Sequence, residues 1–147
     1  MGLYLGEYRH SVDQKGRIIL PVKFRDAMRA GCVITKGQDR CLVLYDLGGW
    51  QEYAQQIRSL SKMDQKVRAF ARSIFGSAAD VVPDGQGRVL VPPKLREYAG
   101  IDKEVVIAGV DDHIEIWDAE TWDGVTLEAD AHLQEVSQSL ADLQRGS

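Results

Sequence analysis

The sequence predicts an α+β fold, mainly β, in which one turn, strand, short helix and hairpin are built twice in tandem, with a two-helix connection between the pseudo-symmetric halves. The first observation is an internal repeat. Shifting the 147-residue chain by 71 positions superposes Asp13, Gly16, Arg17, Pro21, Lys23 and Arg25 on Asp84, Gly87, Arg88, Pro92, Lys94 and Arg96. After one slipped residue the match resumes, Gly37 to Trp50 facing Gly109 to Trp122. The second observation is a pair of short apolar runs, Ile18-Ile19-Leu20 and Val89-Leu90-Val91, each bounded by a glycine turn and a proline as strands are. The third is two helical stripes between the copies. Two copies are too few for a solenoid, which needs at least three.

Each element follows from its residues. Tyr4 to Val12 reads as an extended segment and Asp13 to Gly16 as a turn. Arg17 to Leu20 is a strand that Pro21 ends, and Pro21 suits the first turn of a helix. "VKFRDAM" then makes one or two helical turns with Phe24 and Met28 inward. A hairpin from Cys32 to Tyr45 turns at "GQDR". The second copy places its short helix in "PPKLREYAG", closed by Gly100, and its hairpin in "VVIAGVDDHIEIW". Between the copies, Trp50, Tyr53, Ala54, Ile57 and Leu60 share one stripe, and Val67, Phe70, Ala71, Ile74 and Phe75 another. Both read as core packing. The expected division is a first half at 1–56, a helical connection at 57–76, a second half at 77–123 and an acidic helical tail at 124–147.

Composition excludes several classes. No apolar run approaches the ~18 residues of a membrane span, so no membrane partner is expected. The first residues lack an apolar core followed by a small-residue cleavage site. Gly6 occupies the Ser/Thr position of a myristoylation signal, so a cytoplasmic protein is expected. Cys32 and Cys41 are too few for a zinc site and read as small apolar residues. The formal net charge of −4 hides an asymmetry. Residues 1–110 carry 17 Lys/Arg against 12 Asp/Glu, or +5, while the remainder carries 10 Asp/Glu and only Arg145, or −9. One face of such a chain can hold DNA.

The repeated turn is the candidate site. Gly16 and Gly87 allow positive φ, and Asp13 and Asp84 can accept backbone N–H groups across the turn or orient the arginine four residues on. A single Asp-x-x-Gly-Arg is an ordinary turn with a solvated ion pair. Two copies in pseudo-symmetric halves bring two tips together, presenting Arg17 and Arg88 beside Lys15 and Gln86. Lys23, Arg25, Lys94 and Arg96 add donors behind them. Arginine and glutamine at loop tips read guanine and adenine edges, and lysines suit phosphates. Double-stranded DNA is therefore the expected partner.

The stretches "GEYRHSVDQKGRIILPVKFR", "DGQGRVLVPPKLREYAGI" and "VIAGVDDHIEIWDAETW" resemble the bacterial MraZ family over roughly residues 3–122. The resemblance implies tandem swapped-hairpin β-barrel units of the AbrB type and a DNA-binding transcriptional regulator. It implies a ring-like homo-oligomer, located at the nucleoid, that binds short direct repeats upstream of the cell-division and cell-wall operon its own gene opens. Its binding motif falls on Asp13, Lys15 and Arg17 in one half and Asp84, Gln86 and Arg88 in the other. Gly85 beside Gly87, and the Pro92-Pro93 pair, depart mildly from the first copy.

Two rival readings stand beside this. Asp13 and Asp84 could pair as acid and base with His10 nearby, but there is no Ser-His-Asp or Cys-His set, no phosphate loop and no metal-ligand spacing among the three histidines. No enzyme activity, catalytic residue, metal, cofactor or small-molecule substrate is expected. Alternatively, the chain is an antitoxin-like or scaffolding protein-binding module acting through its tail. There, Ala129, Leu133, Val136, Leu140 and Leu143 recur at heptad-like spacing and suggest a helix with an apolar seam. On the spacing alone that seam packs on its own subunit, on a ring neighbour or on a partner.

Overall fold

The computed structural model describes residues 4–146. The first three residues, where the expected first half starts, and Ser147, where the expected tail ends, lie outside the described residues. The elements run β1 (Tyr4–Ser11), β2 (Arg17–Ile19), α1 (Val22–Met28), β3 (Cys32–Lys36), a 3-10 turn (Gln38–Arg40) and β4 (Leu42–Asp46). Next come α2 (Leu47–Arg58), α3 (Gln65–Ser77), β5 (Ala79–Val81), β6 (Arg88–Leu90) and α4 (Pro93–Tyr98). The chain closes with β7 (Glu104–Asp111), β8 (His113–Asp118), α5 (Ala119–Ala131) and α6 (Leu133–Arg145).

Local chemistry accounts for the boundaries. Pro21 and Pro92, at φ −52° and −56°, occupy the cap positions of α1 and α4, where a missing N–H costs nothing. Gly100 follows α4 at φ 63°, the left-handed residue that ends a helix. Asp39 and Arg40 take φ 61° and 59° to turn the first hairpin, and Asp111 at φ 65° turns the second. The aspartates that recur after each hairpin are helix caps. Asp46 accepts from the Gly49 N–H at 2.7 Å and Asp118 from the Thr121 N–H at 3.1 Å.

Pairing interleaves the two halves. One antiparallel sheet has the order β1-β7-β8-β4-β3-β5, and β2 and β6 form a separate two-stranded ribbon. β1 of the first half pairs with β7 of the second, and β5 of the second half pairs with β3 of the first. Exchanging each strand for its repeat counterpart reverses this order onto itself, so a pseudo-twofold runs between β4 and β8. The resemblance implied barrel units, and here the structure corrects it. The halves join through β4–β8 into one sheet whose edges, β1 and β5, are not paired with each other, so no barrel closes among the described residues.

The main core lies between this sheet and the ribbon. Cys32, Ile34, Leu42, Leu44, Ile107 and Ile116 line the sheet side, and Ile18, Val89, Phe24 and Leu95 close it from the ribbon, α1 and α4. Burying a side chain such as Ile18 contributes ~1.5–3 kcal/mol. The opposite sheet face is covered by α2 and α3 on one side, where Thr35 Oγ1 donates to the Ile74 carbonyl at 2.7 Å, and by α5 against Val106 and Ala108 on the other. The two central stripes are only partly core. Ala54, Ile57 and Ile74 are buried, whereas Leu60 and Phe75 remain exposed. The tail is two helices rather than one. α5 ends at Ala131 and α6 starts at Leu133, with His132 between them and the Glu135 side chain against its ring, so Ala129 belongs to α5 and the rest of the seam to α6.

Both cysteines are buried, with their thiols pushed up to about 12 by that burial, as suits packing residues. Among the described residues no helix is long and apolar enough to cross a membrane.

Candidate nucleic-acid interface

The two predicted turns form with the same bonds. Asp13 Oδ1 accepts the backbone N–H of Lys15 at 2.9 Å and of Arg17 at 2.8 Å, while its Oδ2 accepts Arg17 Nε at 2.7 Å. Asp84 repeats this with the N–H of Gln86 at 3.0 Å, the N–H of Arg88 at 2.8 Å and Arg88 Nε at 2.6 Å. One carboxylate thus shapes the backbone and aims the guanidinium. Only Nε is engaged, so the terminal nitrogens of Arg17 and Arg88 have no partner among the described residues.

The ribbon brings the two turns together. Arg17 pairs with Leu90, Ile18 with Val89 and Ile19 with Arg88. Beyond these pairs, the Leu20 N–H donates to the Gly87 carbonyl at 2.8 Å and the Val91 N–H to the Gly16 carbonyl at 2.9 Å, so each turn is tied to the other half. Strand alternation then sorts the side chains. Ile18 and Val89 point into the core, and Arg17, Ile19, Arg88 and Leu90 share the outer face, where Ile19 is 41% and Leu90 49% exposed. The arginines sit two residues apart along the ribbon, roughly 7 Å. Sequence reasoning missed the two aliphatic residues, although the period of two in Arg-Ile-Ile and Arg-Val-Leu signals them.

The remaining predicted donors divide. Lys15 and Gln86 are exposed on the turns themselves. Lys23 and Lys94 are exposed in the first turns of α1 and α4, Lys23 with its ammonium 5.4 Å from the Tyr8 ring centroid. Arg25 and Arg96 are half-buried and stand behind the turns. Arg25 Nε donates to the Leu20 carbonyl at 2.9 Å and Arg96 Nε to the Val91 carbonyl at 3.1 Å. Each guanidinium lies against the turn glycine of the other half, Arg25 beside Gly87 and Arg96 beside Gly16. The arginines therefore cross-brace the pair.

That bracing makes the glycines exacting. Gly16 and Gly87 have φ 84° and 78°, and an added Cβ would lie 3.0 Å from the Arg96 guanidinium carbon at Gly16 and would overlap Arg25 at Gly87. Gly16→Ala is expected to cost ~1–2 kcal/mol from backbone strain alone, and Gly87→Ala more, because Arg25 must also move. Melting temperatures should fall by roughly 2 to 4 °C per kcal/mol. Unchanged melting in both variants would refute the bracing.

Asp13 and Asp84 are held below the usual carboxylate range, first by the backbone N–H of Arg17 or Arg88 and then by that residue's side chain. Carboxylates locked in this way stay ionised on their own arginines and are not placed to act as an acid–base pair. Because the folded values are lowered, the stabilisation they provide is complete above the ordinary carboxylate value near 3.8 and is lost as pH falls through the lowered folded one. Asp13→Asn and Asp84→Asn should therefore flatten the loss of stability as pH falls below about 3.8, measured by denaturant unfolding across pH. Parallel curves for variant and parent would contradict the clamp. Among the described residues no group of three or more His, Cys, Asp or Glu is placed to hold a metal ion.

Comparison with known proteins bears on this site. A family model described as "MraZ protein, putative antitoxin-like" matches residues 3–73 and again 74–144. The second match runs past Trp122, so the tail lies inside the repeat and not outside the resemblance as the sequence motifs had it. A protein of Roseiflexus castenholzii named "Transcriptional regulator MraZ" is 44% identical over 141 residues, covering 96% of this chain and 99% of its own. One of Acetivibrio thermocellus with the same name is 43% identical over 141 residues, with the same coverage. One of Thermomicrobium roseum, also so named, is 46% identical over 120 residues, 82% of this chain and 84% of its own.

Proposed function

Since this chain belongs to the MraZ family and is a transcriptional regulator of that type, we propose that its paired turns are the surface with which it reads DNA. The observation that carries this is the symmetric clamp, in which two aspartates fix two arginines on the outer face of one ribbon. A two-stranded ribbon fits the major groove, where free guanidinium nitrogens can engage O6 and N7 of guanine. Arg17 and Arg88 are the base readers, with Lys15 and Gln86 beside them. Ile19 and Leu90 offer apolar contact to thymine methyl groups. Lys23 and Lys94 take phosphates, while Arg25 and Arg96 hold the turns and offer their remaining N–H groups to the backbone.

The interleaved strand pairing supports a swapped-hairpin, AbrB-like kinship for the two halves. The family resemblance supports short direct repeats upstream of the chain's own division and cell-wall operon as the target, and a ring of several copies acting at the nucleoid. The exposed α6 seam supports packing between neighbouring copies. The antitoxin-like reading would instead give that seam to another protein.

A salt-titrated binding assay against the DNA upstream of its own gene tests the proposal. Affinity should fall steeply with salt, and Lys23→Ala or Lys94→Ala should weaken all sequences alike and reduce the salt slope by about one phosphate contact. A selective loss for one sequence would make these lysines base readers. Salt-insensitive binding without sequence preference would overturn the DNA face.

A further inference from the structure

A second cationic site lies behind α4, off the ribbon's outer face. α3, α4 and the turn end of the β3–β4 hairpin enclose a cleft of about 1060 Å³. Its floor is apolar, formed by Ala79, Pro92, Pro93 and Leu95, and its rim carries Lys36, Arg40, Arg72 and Lys94 against a single acid, Glu97. None of the four cations is in an ion pair among the described residues. Lys36 and Arg40 are gathered over one aromatic ring, their charged groups 5.2 Å and 5.0 Å from the centroid of Tyr98. Tyr98 is fixed in turn by donating its hydroxyl to the Gly37 carbonyl at 2.8 Å. Lys36 Nζ also donates to Ser73 Oγ at 3.3 Å, so a hydroxyl stands next to the converging charges.

The repeat shows that the fold does not require this arrangement. In the register that superposes the two turns, Tyr98 corresponds to Ala27, and in the register of the hairpins, one residue on, Lys36 corresponds to Ala108 and Arg40 to Asp112. The DNA-reading motif is kept in both halves, whereas the cationic, aromatic cleft exists in only one. A cluster of unpaired cations around a rigid ring costs mutual repulsion, which an anionic ligand would relieve. A volume near the upper end of small-molecule sites, with an apolar floor, exceeds what a lone phosphate fills.

We propose that this cleft binds a small metabolite carrying two or three linked phosphates on an organic group, of the nucleoside diphosphate kind. Lys36, Arg40 and Arg72 hold the phosphates, Ser73 Oγ donates to a phosphate oxygen, and the organic group lies along the proline floor. Lys94 borders both this cleft and the ribbon face, which gives a bound polyanion a route to weaken the nearby phosphate contact with DNA.

Calorimetric titration of the full chain at low salt tests this, using ADP, inorganic pyrophosphate, inorganic phosphate and adenosine as probes. ADP and pyrophosphate should bind once per chain, phosphate at least about tenfold more weakly and adenosine not measurably. Arg40→Ala and Arg72→Ala, both at exposed positions, should each weaken ADP by about tenfold, in line with the loss of one charge-assisted contact. Arg17→Ala should bind ADP like the parent, which separates this site from the proposed DNA face. Equal ADP affinity in parent and cleft variants would overturn the proposal. It would also fall if ADP failed to bind while Arg40→Ala and Arg72→Ala weakened DNA binding, because the cleft would then serve duplex phosphates. The same holds if ADP failed to bind while those variants changed the subunit mass in light scattering, because the cleft would then hold the acidic tail of a second copy.

Discussion

Arg17→Ala and Arg88→Ala are each expected to remove most of the preference for the specific site while leaving the fold intact. Each lost bidentate base contact costs ~1–3 kcal/mol of discrimination, or about 5- to 150-fold in affinity ratio. The stability effect should be far smaller. Both arginines lie on the outer face, and with either gone the aspartate still accepts two backbone N–H groups, so the turn keeps its shape. Competition binding of specific against scrambled duplex, with thermal melting as the control, reads both effects. The double variant should bind the two duplexes equally, retaining only the salt-sensitive phosphate term. A specific-site preference unchanged in both single variants would remove the ribbon's outer face from DNA recognition.

The second large effect comes from repetition of the site. Two arginines roughly 7 Å apart can cover only a few base pairs, and a site that short recurs by chance throughout a genome. A homo-oligomer whose copies present the same face can engage successive short repeats, and once one copy is bound the next binding is intramolecular. Direct repeats at one-turn spacing, ~10 base pairs, should therefore bind about 10² to 10⁴ times more tightly than a single repeat. Inserting half a turn should return affinity to near the single-site value, because alternate repeats then face away. The α6 seam gives this a structural handle. Leu133, Val136, Leu140 and Leu143 are 50–71% exposed, so Leu140→Glu with Leu143→Glu should disperse the assembly and abolish the repeat advantage together. A monodisperse monomer that bound one repeat as tightly as the array would refute the avidity account.

Much of the candidate site is local and could be read directly. The turn needs only five consecutive residues: an aspartate to accept three N–H groups, a glycine for positive φ and an arginine within reach. Its duplication announced that the halves are related. Prolines before each short helix and the positive-φ glycine after the second were equally legible. The caps Asp46 and Asp118 are local as well, each an aspartate three residues before the N–H it accepts, at Gly49 and Thr121. Resemblance between copies faded after Trp122 because a helix on the sheet's outer face needs amphipathic spacing, not particular residues, so α5 kept the role of α2 without its sequence, while α6 buries no residue.

The sequence by itself determined the duplicated unit, the shape and chemistry of each turn, and which residues of each strand are apolar. Only the tertiary structure decided which strands meet. Alternation states which side of a strand is buried but not its neighbour, and here β1 and β5 cross to the opposite halves while β4 and β8 merge the two into one open sheet. It also decided that Arg25 and Arg96 brace the turn of the other copy rather than stand free beside their own. A contact between residues more than sixty positions apart depends on the packing of the whole core, and no short stretch of chain encodes it.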